Sequence, residues 1–140
     1  MRVNTIPGNL RLSSRRLGTH TVVAIHGALN TTTAASLRER LLVMVHHSTF
    51  PIVIDLSGVS SCDAAGLAPL IGARRRGQLH GVLITLAAPR PSMSLLLRTT
   101  GLRRAFVIHA TLAAAERHLG IVSPPRLGLD TNSRPARQPA

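Results

Sequence analysis

Hydrophobic and polar positions along this chain change period several times, and each change predicts a new element. Two β-prone runs come first, 10–17 and 21–25, separated by Gly18-Thr19-His20, which predicts a pair of strands. From Ala34 to Val45, apolar residues recur at three- and four-residue spacing, behind the candidate N-caps Thr31-Thr32-Thr33. That spacing predicts an amphipathic helix packed on the strand pair.

Two later runs, Ile52–Leu56 and Val82–Ala87, are apolar without alternation. Such runs are typical of strands covered on both faces in a parallel or mixed sheet. The segment between Leu56 and Asp63 is polar and predicts a loop. Asp63 can then cap a second helix, whose inward-facing positions are Leu67, Leu70 and Ile71.

The remaining pattern predicts a third helix capped by Ser92, a short strand at 106–108 and a last helix capped by Thr111. The resulting order is β, β, α, β, α, β, α, β, α. It predicts an α/β fold, a single domain in which a mixed sheet of about four to five strands is backed by about four helices.

Domain boundaries follow from composition. A chain of 140 residues can bury one compact core. Residues 1–9 lack apolar periodicity and predict a flexible N-terminus, 10–122 form the domain, and 123–140 are rich in proline and arginine. We expect this last segment to be a disordered basic tail.

Charge and candidate chemistry narrow the function. The seventeen basic residues are all arginine, against five acidic residues, for a formal net charge of +12. Such an excess attracts polyanions. The arginines are nevertheless scattered, and the chain has no Tyr or Trp to stack on bases. We therefore rank nucleic-acid binding as the last of the alternatives.

The sequence lacks the residues that a membrane span, a metal site or a common catalytic motif requires. No stretch approaches the roughly 20 apolar residues of a membrane span, and Cys62 is the single cysteine. The seven histidines form no His-Glu-X-X-His pair, and there is neither a Gly-X-Ser-X-Gly motif nor a glycine-rich nucleotide loop. We expect a cytoplasmic protein that is not an enzyme and holds no metal or cofactor.

One segment resembles the signature of STAS domains, in which a strand ending in Asp-Leu-Ser is followed by a short loop and a helix opening with Asp-Ser-Ser/Thr/Ala-Gly-Leu. Here it reads Asp55-Leu56-Ser57-Gly58-Val59-Ser60-Ser61-Cys62-Asp63-Ala64-Ala65-Gly66-Leu67. Gly27-Ala28-Leu29-Asn30 stands where the family usually has Gly-Glu-Leu-Asp, and 95–102 resembles its helix-then-turn ending. The resemblance covers about residues 10 to 120 and implies a STAS-type fold.

The resemblance also implies a function. Without a membrane domain, the chain is most similar to free-standing bacterial anti-sigma factor antagonists, which bind a histidine-kinase-like anti-sigma factor and so regulate transcription. That partner is a serine kinase and switches the antagonist off by phosphorylating the serine after the aspartate. Here this position is Ala64, followed by Ala65. Because alanine has no hydroxyl group, we expect either a permanently binding-competent antagonist or one in which another input has replaced the phosphorylation switch.

The resemblance places partner contacts at the start of the second helix. Ser60 and Ser61, in the predicted loop, are candidate displaced phosphorylation sites, and Asp63 is better explained as a helix cap than as a catalytic acid. Pro69 has no N–H to donate to Ala65, so the helix starts late or bends there. The predicted partner-binding residues are Asn30, Ser61, Cys62, Asp63, Ala64, Ala65, Gly66 and Leu67.

Two alternatives stay open. The chain could be a STAS-fold scaffold or a ligand or stress sensor that forms homodimers or larger homo-oligomers. It could also bind nucleic acid or another polyanion through its arginines. Each alternative keeps the fold and changes the partner.

Overall fold

The computed structural model describes residues 2–122, and within that span the chain forms one six-stranded sheet and four α-helices. The strands are β1 (Arg2–Ile6), β2 (Leu10–Arg16), β3 (Thr21–Leu29), β4 (Ile52–Cys62), β5 (Ile84–Ala87) and β6 (Val107–His109). The helices are α1 (Thr31–His46), α2 (Ala68–His80), α3 (Pro91–Thr99) and α4 (Leu112–Val122), with 3-10 turns at Ala64–Leu67 and Leu102–Arg104. The predicted α/β class is confirmed. The tail predicted over 123–140 lies outside the described residues.

The six strands lie in the sheet in chain order. The β1–β2 and β2–β3 pairs are antiparallel, whereas β3, β4, β5 and β6 pair in parallel. Parallel neighbours need a long crossover connection, and α1, α2 and α3 supply one each. All four parallel strands therefore end at the same edge of the sheet, where the helices begin.

The strand that exceeds the predicted count is β1, which lies in the segment expected to be flexible. It pairs with β2 from Arg2 opposite Ser14 to Ile6 opposite Leu10. Gly8 and Asn9 both have a positive φ in the connecting turn, as tight hairpins require. Because Ile6 is the one buried residue of β1, the strand has no apolar alternation for sequence analysis to detect.

Strand β4 continues to Cys62, so the loop predicted after Leu56 was wrong. This continuation pairs with the second half of β3 and shifts register twice, between Ala24 and His26 and between Gly27 and Ala28. Each shift places one extra residue in β4. This half of β4 was missed because its outward-facing residues are polar, so it contains no continuous apolar run.

The core has two parts because the sheet is covered on both faces. Helices α1, α2 and α3 pack on the inner face, where the large aliphatic core includes Leu37, Leu70, Leu97, Ile54 and Leu86. Helix α4 covers the outer face of β4, β5 and β6 through a smaller cluster made of Val53, Ala87, Ala115 and Leu119. Apart from Phe106, the larger cluster of described residues contains no aromatic residue, since the chain has only two, Phe50 and Phe106.

Helix α4 is also held by a polar contact. The Nε2 atom of buried His20, in the turn before β3, lies 2.7 Å from a carboxylate oxygen of Glu116. The hydroxyl of Thr111 accepts a hydrogen bond from the N–H of Ala114, so the predicted cap is confirmed. The cap predicted at Ser92 was wrong, because α3 begins one residue earlier at Pro91, whose missing N–H needs no partner there.

Helix α2 offers a stability test with a matched pair of glycines. A Cβ on Gly77 would stand 2.4 Å from the carbonyl oxygen of Val82, whereas a Cβ on Gly72 would meet only the Arg38 side chain, at 3.7 Å. We expect Gly77→Ala to lower the free energy of unfolding by about 1–3 kcal/mol, because backbone must move. Gly72→Ala should raise it by about 0.5–1 kcal/mol through helix propensity. Denaturant titration of both variants checks this; two stabilised variants would contradict the close packing.

Candidate functional site

The candidate site is the edge of the sheet where β3 and β4 end. The last residues of the two strands, Leu29 and Cys62, lie opposite each other. Asn30 then starts α1, and Asp63 starts the 3-10 turn that precedes α2. The amino ends of two helical segments therefore open side by side at this edge.

Asn30 is the N-cap of α1. Its side-chain oxygen accepts hydrogen bonds from the N–H groups of Thr32 (2.9 Å) and Thr33 (3.2 Å). The Thr33 hydroxyl accepts from the Asn30 N–H (3.1 Å) and donates to the Ala28 carbonyl oxygen (2.9 Å). The prediction that Thr31, Thr32 or Thr33 would cap the helix was wrong. Sequence analysis did not predict the capping box that Asn30 and Thr33 form, although their three-residue spacing is typical of one.

Asp63 caps the turn that follows β4. Its N–H donates to the Leu29 carbonyl oxygen (3.1 Å), and its carboxylate accepts a hydrogen bond from the Gly66 N–H (2.9 Å). The predicted role of Asp63 as a cap is confirmed. One carboxylate oxygen is occupied in holding the turn, while the side chain as a whole remains exposed.

Gly66 and Leu67 lie beneath the surface, although both were named as partner-binding residues. Gly66 is buried against the end of β3, where a Cβ would stand 2.4 Å from the Leu29 carbonyl oxygen. Leu67 is a buried member of the main core. These two residues position the turn and are not exposed to a partner. The α-helix then starts at Ala68 with Pro69 in its first turn, which confirms the late start.

The exposed part of the edge consists of small side chains. Ser60, Ser61, Asp63, Ala64 and Ala65 are exposed, and Cys62 is partly buried. The hydroxyls of Ser60 and Ser61 make no hydrogen bond to any described residue. Both serines belong to β4 and not to a loop. We call the surface formed by 60–65 the turn surface.

The thiol of Cys62 is held in its protonated form. Burial, with a smaller contribution from the neighbouring Asp63 carboxylate, raises its pKa from 9.0 to about 11. The thiol donates a weak hydrogen bond to the Asp63 carbonyl oxygen, 3.3 Å away. A protonated thiol is a poor nucleophile and metal ligand.

Two further findings bear on the chemistry of the whole domain. In the region 2–122, no three His, Cys, Asp or Glu side chains are arranged to hold a metal ion. None of the helices described there is long and apolar enough to cross a membrane. Within this region, the turn surface combines exposed methyl and hydroxyl groups with one capping carboxylate.

The raised pKa of Cys62 predicts slow thiol chemistry. At pH 7.5, the thiolate fraction should be roughly a hundredfold below that of a thiol with pKa 9.0, so alkylation by iodoacetamide should slow comparably. Asp63→Asn keeps the cap and removes the charge, so it should lower the pKa partly and speed the reaction. Alkylation of the unchanged protein as fast as that of a free thiol would contradict the burial of this group.

Comparison with known proteins agrees with this geometry. The family described as "Mlab, STAS domain" matches residues 12–110. An anti-sigma factor antagonist from Mycobacterium paratuberculosis is similar in structure, with TM-score 0.71, 22% identity and coverage of 84% of this chain and 99% of that one. So is the phosphorylated form of the Bacillus cell fate determinant SpoIIAA, with TM-score 0.60, 17% identity and coverage of 77% and 98%. A sulfate transporter family protein from Wolinella succinogenes gives TM-score 0.64, 16% identity and coverage of 76% and 88%. Since the matched segment spans most of the chain and the fold agrees, this chain belongs to the STAS domain family.

Proposed function

We propose that this chain is a non-enzymatic anti-sigma factor antagonist that binds a histidine-kinase-like anti-sigma factor through the turn surface. The observation that carries the proposal is the exposure of Ala64 and Ala65 on a turn held by Asp63 and Gly66. A docking residue must reach solvent and keep a fixed position, and these two alanines meet both conditions.

The chemistry of the turn surface suits protein binding. Ala64 and Ala65 are both exposed and present methyl groups. Alanine has no side-chain rotamers to lose, so its ordering in an interface costs little conformational entropy. The backbone of the turn is already ordered by the cap, which reduces the cost of binding further.

The same position explains how the family's switch would be lost. A phosphate on this turn would add nearly two negative charges next to Asp63, and an interface would have to desolvate them. The STAS signature that this segment resembles has a serine there, and one similar structure is described as a phosphorylated form. Ala64 offers no oxygen for the phosphoryl group. We therefore propose that binding is not switched off by phosphorylation at this position.

The docking prediction can be tested by adding bulk to the turn surface. The partner is first recovered by pull-down from a native lysate as an ATP-binding protein. Ala65→Arg should weaken its binding at least about tenfold, because a long charged side chain disrupts a close-packed contact. The measurement is isothermal titration calorimetry with the purified partner, which should be histidine-kinase-like. Ala113→Arg is the matched control, since Ala113 is exposed on α4, on the other face of the sheet.

If Ala65→Arg and Ala113→Arg bind the partner with equal affinity, the partner does not dock on the turn surface, and this part of the proposal is wrong. If the chain instead elutes as a defined homo-oligomer and no ATP-binding protein is recovered, the scaffold or sensor alternative replaces the antagonist.

The phosphorylation prediction uses the position after Asp63. Incubated with its partner and ATP, the unchanged chain should gain no phosphate, whereas Ala64→Ser should gain one and then release the partner, because the charge must be desolvated. Intact-protein mass spectrometry measures the transfer. Phosphate found on Ser60 or Ser61 of the unchanged chain would contradict permanent competence and reveal a displaced switch; the Ser60→Ala and Ser61→Ala variants identify which serine accepts it.

A further inference from the structure

A second surface, separate from the turn surface, runs along the outside of the α1–α2 pair. It is a groove of about 340 Å³ between the two helices. Its lining residues are Arg38 and Leu42 from α1 and Ala68, Ile71, Gly72, Arg75, Arg76 and Leu79 from α2. The α2 residues are spaced by three and one in turn, so they form one continuous stripe along the helix. We call this surface the arginine groove.

The arginine groove combines exposed apolar groups with positive charge. Leu79 has 81% of its surface exposed, the largest value among the exposed large hydrophobic residues of the described chain. Arg38 lies over Gly72, whose missing Cβ leaves room for the guanidinium within 3.7 Å of where that atom would stand. Arg75 and Arg76 belong to the same face. Leu79 lines the same groove as Leu42 and Ile71, so the arginines stand beside a shared apolar surface and not beside a single exposed leucine.

The guanidinium groups of the arginine groove are unpaired. Between residues 2 and 122, the one ion pair is that of His20 with Glu116, so Arg38, Arg75 and Arg76 contact no carboxylate there. The acidic residue nearest in sequence, Glu39, does not line the groove. Three unpaired positive charges next to an apolar floor are complementary to a ligand that is both acidic and apolar.

We infer that the arginine groove binds an acidic amphipathic helix of a partner protein. Apolar side chains of such a helix, repeated at i, i+3, i+4 and i+7, would cover Leu42, Ile71 and Leu79. Its carboxylates would pair with the three arginines, whose guanidinium geometry suits carboxylate oxygens. The inference stands independently of the antagonist function, since it uses none of residues 60–65.

Two other occupants fit less well. In a symmetric dimer through this surface, the arginines of one copy would face those of the other, and like charges repel. A nucleic acid would pair with the arginines but leave Leu42, Ile71 and Leu79 uncovered, and none of the groove residues is aromatic. The mixed lining therefore favours a peptide.

The test is an NMR titration of the isotope-labelled full chain with a synthetic helical peptide that has leucine at i, i+3, i+4 and i+7 and glutamate elsewhere. Amide shifts should concentrate at 38–42 and 68–79 and saturate. Arg75→Glu with Arg76→Glu should weaken binding roughly tenfold, because attraction becomes repulsion. Arg103→Glu with Arg104→Glu is the matched control, with the same charge change outside the groove.

A second pair separates the apolar contribution from the charge. Leu79→Ser should weaken peptide binding several-fold, whereas Leu95→Ser, at a half-exposed leucine on α3, should not. A peptide with lysine in place of every glutamate should not bind.

Three results would overturn the inference. The first is an equal loss of peptide affinity in the two double arginine variants, and the second is amide shift changes spread over the whole basic surface. The third is an RNA oligonucleotide that shifts the same amide signals and binds more tightly than the peptide. Self-association that blocks the groove, detected by size-exclusion chromatography, would assign it to a second copy instead. Turn-surface variants should leave peptide binding unchanged, so failure here leaves the antagonist proposal separately testable.

Discussion

The close approach of Gly66 to the Leu29 carbonyl group is the contact on which the geometry of the candidate site depends. A Cβ at position 66 would overlap that carbonyl oxygen, so any other residue would push the turn away from β3. The same oxygen accepts the Asp63 N–H, and the residue after Leu29 caps α1. The end of one strand therefore fixes the entry to two helical segments. Leu67 can enter the core only because the turn lies this close.

Burial and exposure are divided between different residues along this short segment. Gly66 and Leu67 are buried and set the path of the backbone, while Ala64 and Ala65 are exposed. Substitution of an exposed residue away from caps and special backbone conformations usually costs little stability. The chemistry of the turn surface can therefore change without altering the fold. Under the proposed function, this separation allows alanine at the phosphorylation position while Asp63 and Gly66 keep their structural roles.

Sequence analysis predicted the elements that carry their own apolar pattern. Ile52–Leu56 is the buried first half of β4, and the spacing from Ala34 to Val45 lies within α1. It failed where an element depends on a partner distant in sequence. Strand β1 and the second half of β4 bury few side chains and are ordered by pairing with β2 and β3. The local pattern of apolar residues does not predict such pairing, because the partner strand lies elsewhere in the sequence.

At the candidate site, the same analysis identified Asp63 as a cap and Leu67 as inward-facing, but it also named Gly66 and Leu67 among the partner-binding residues. A motif read as a continuous stretch does not show which side chains point inward; that depends on the 3-10 geometry of the turn and on its distance from Leu29. The arginine groove was not predicted at all. Its residues come from two helices whose facing sides are set by tertiary packing.

The two register shifts in the β3–β4 pair have a geometric consequence for evolution of the edge. Side chains alternate along a regular strand, and a bulge takes up one additional residue at the point of the shift. Ile54, Leu56, Val59 and Cys62 therefore all face the main core, although they are separated by two, three and three residues. Strand β4 carries two additional residues relative to β3. Loss of one additional residue would remove its bulge and leave the later residues of β4 on the same faces of the sheet. The chain entering the turn can thus be lengthened or shortened by single residues at these two points while its buried side stays the same.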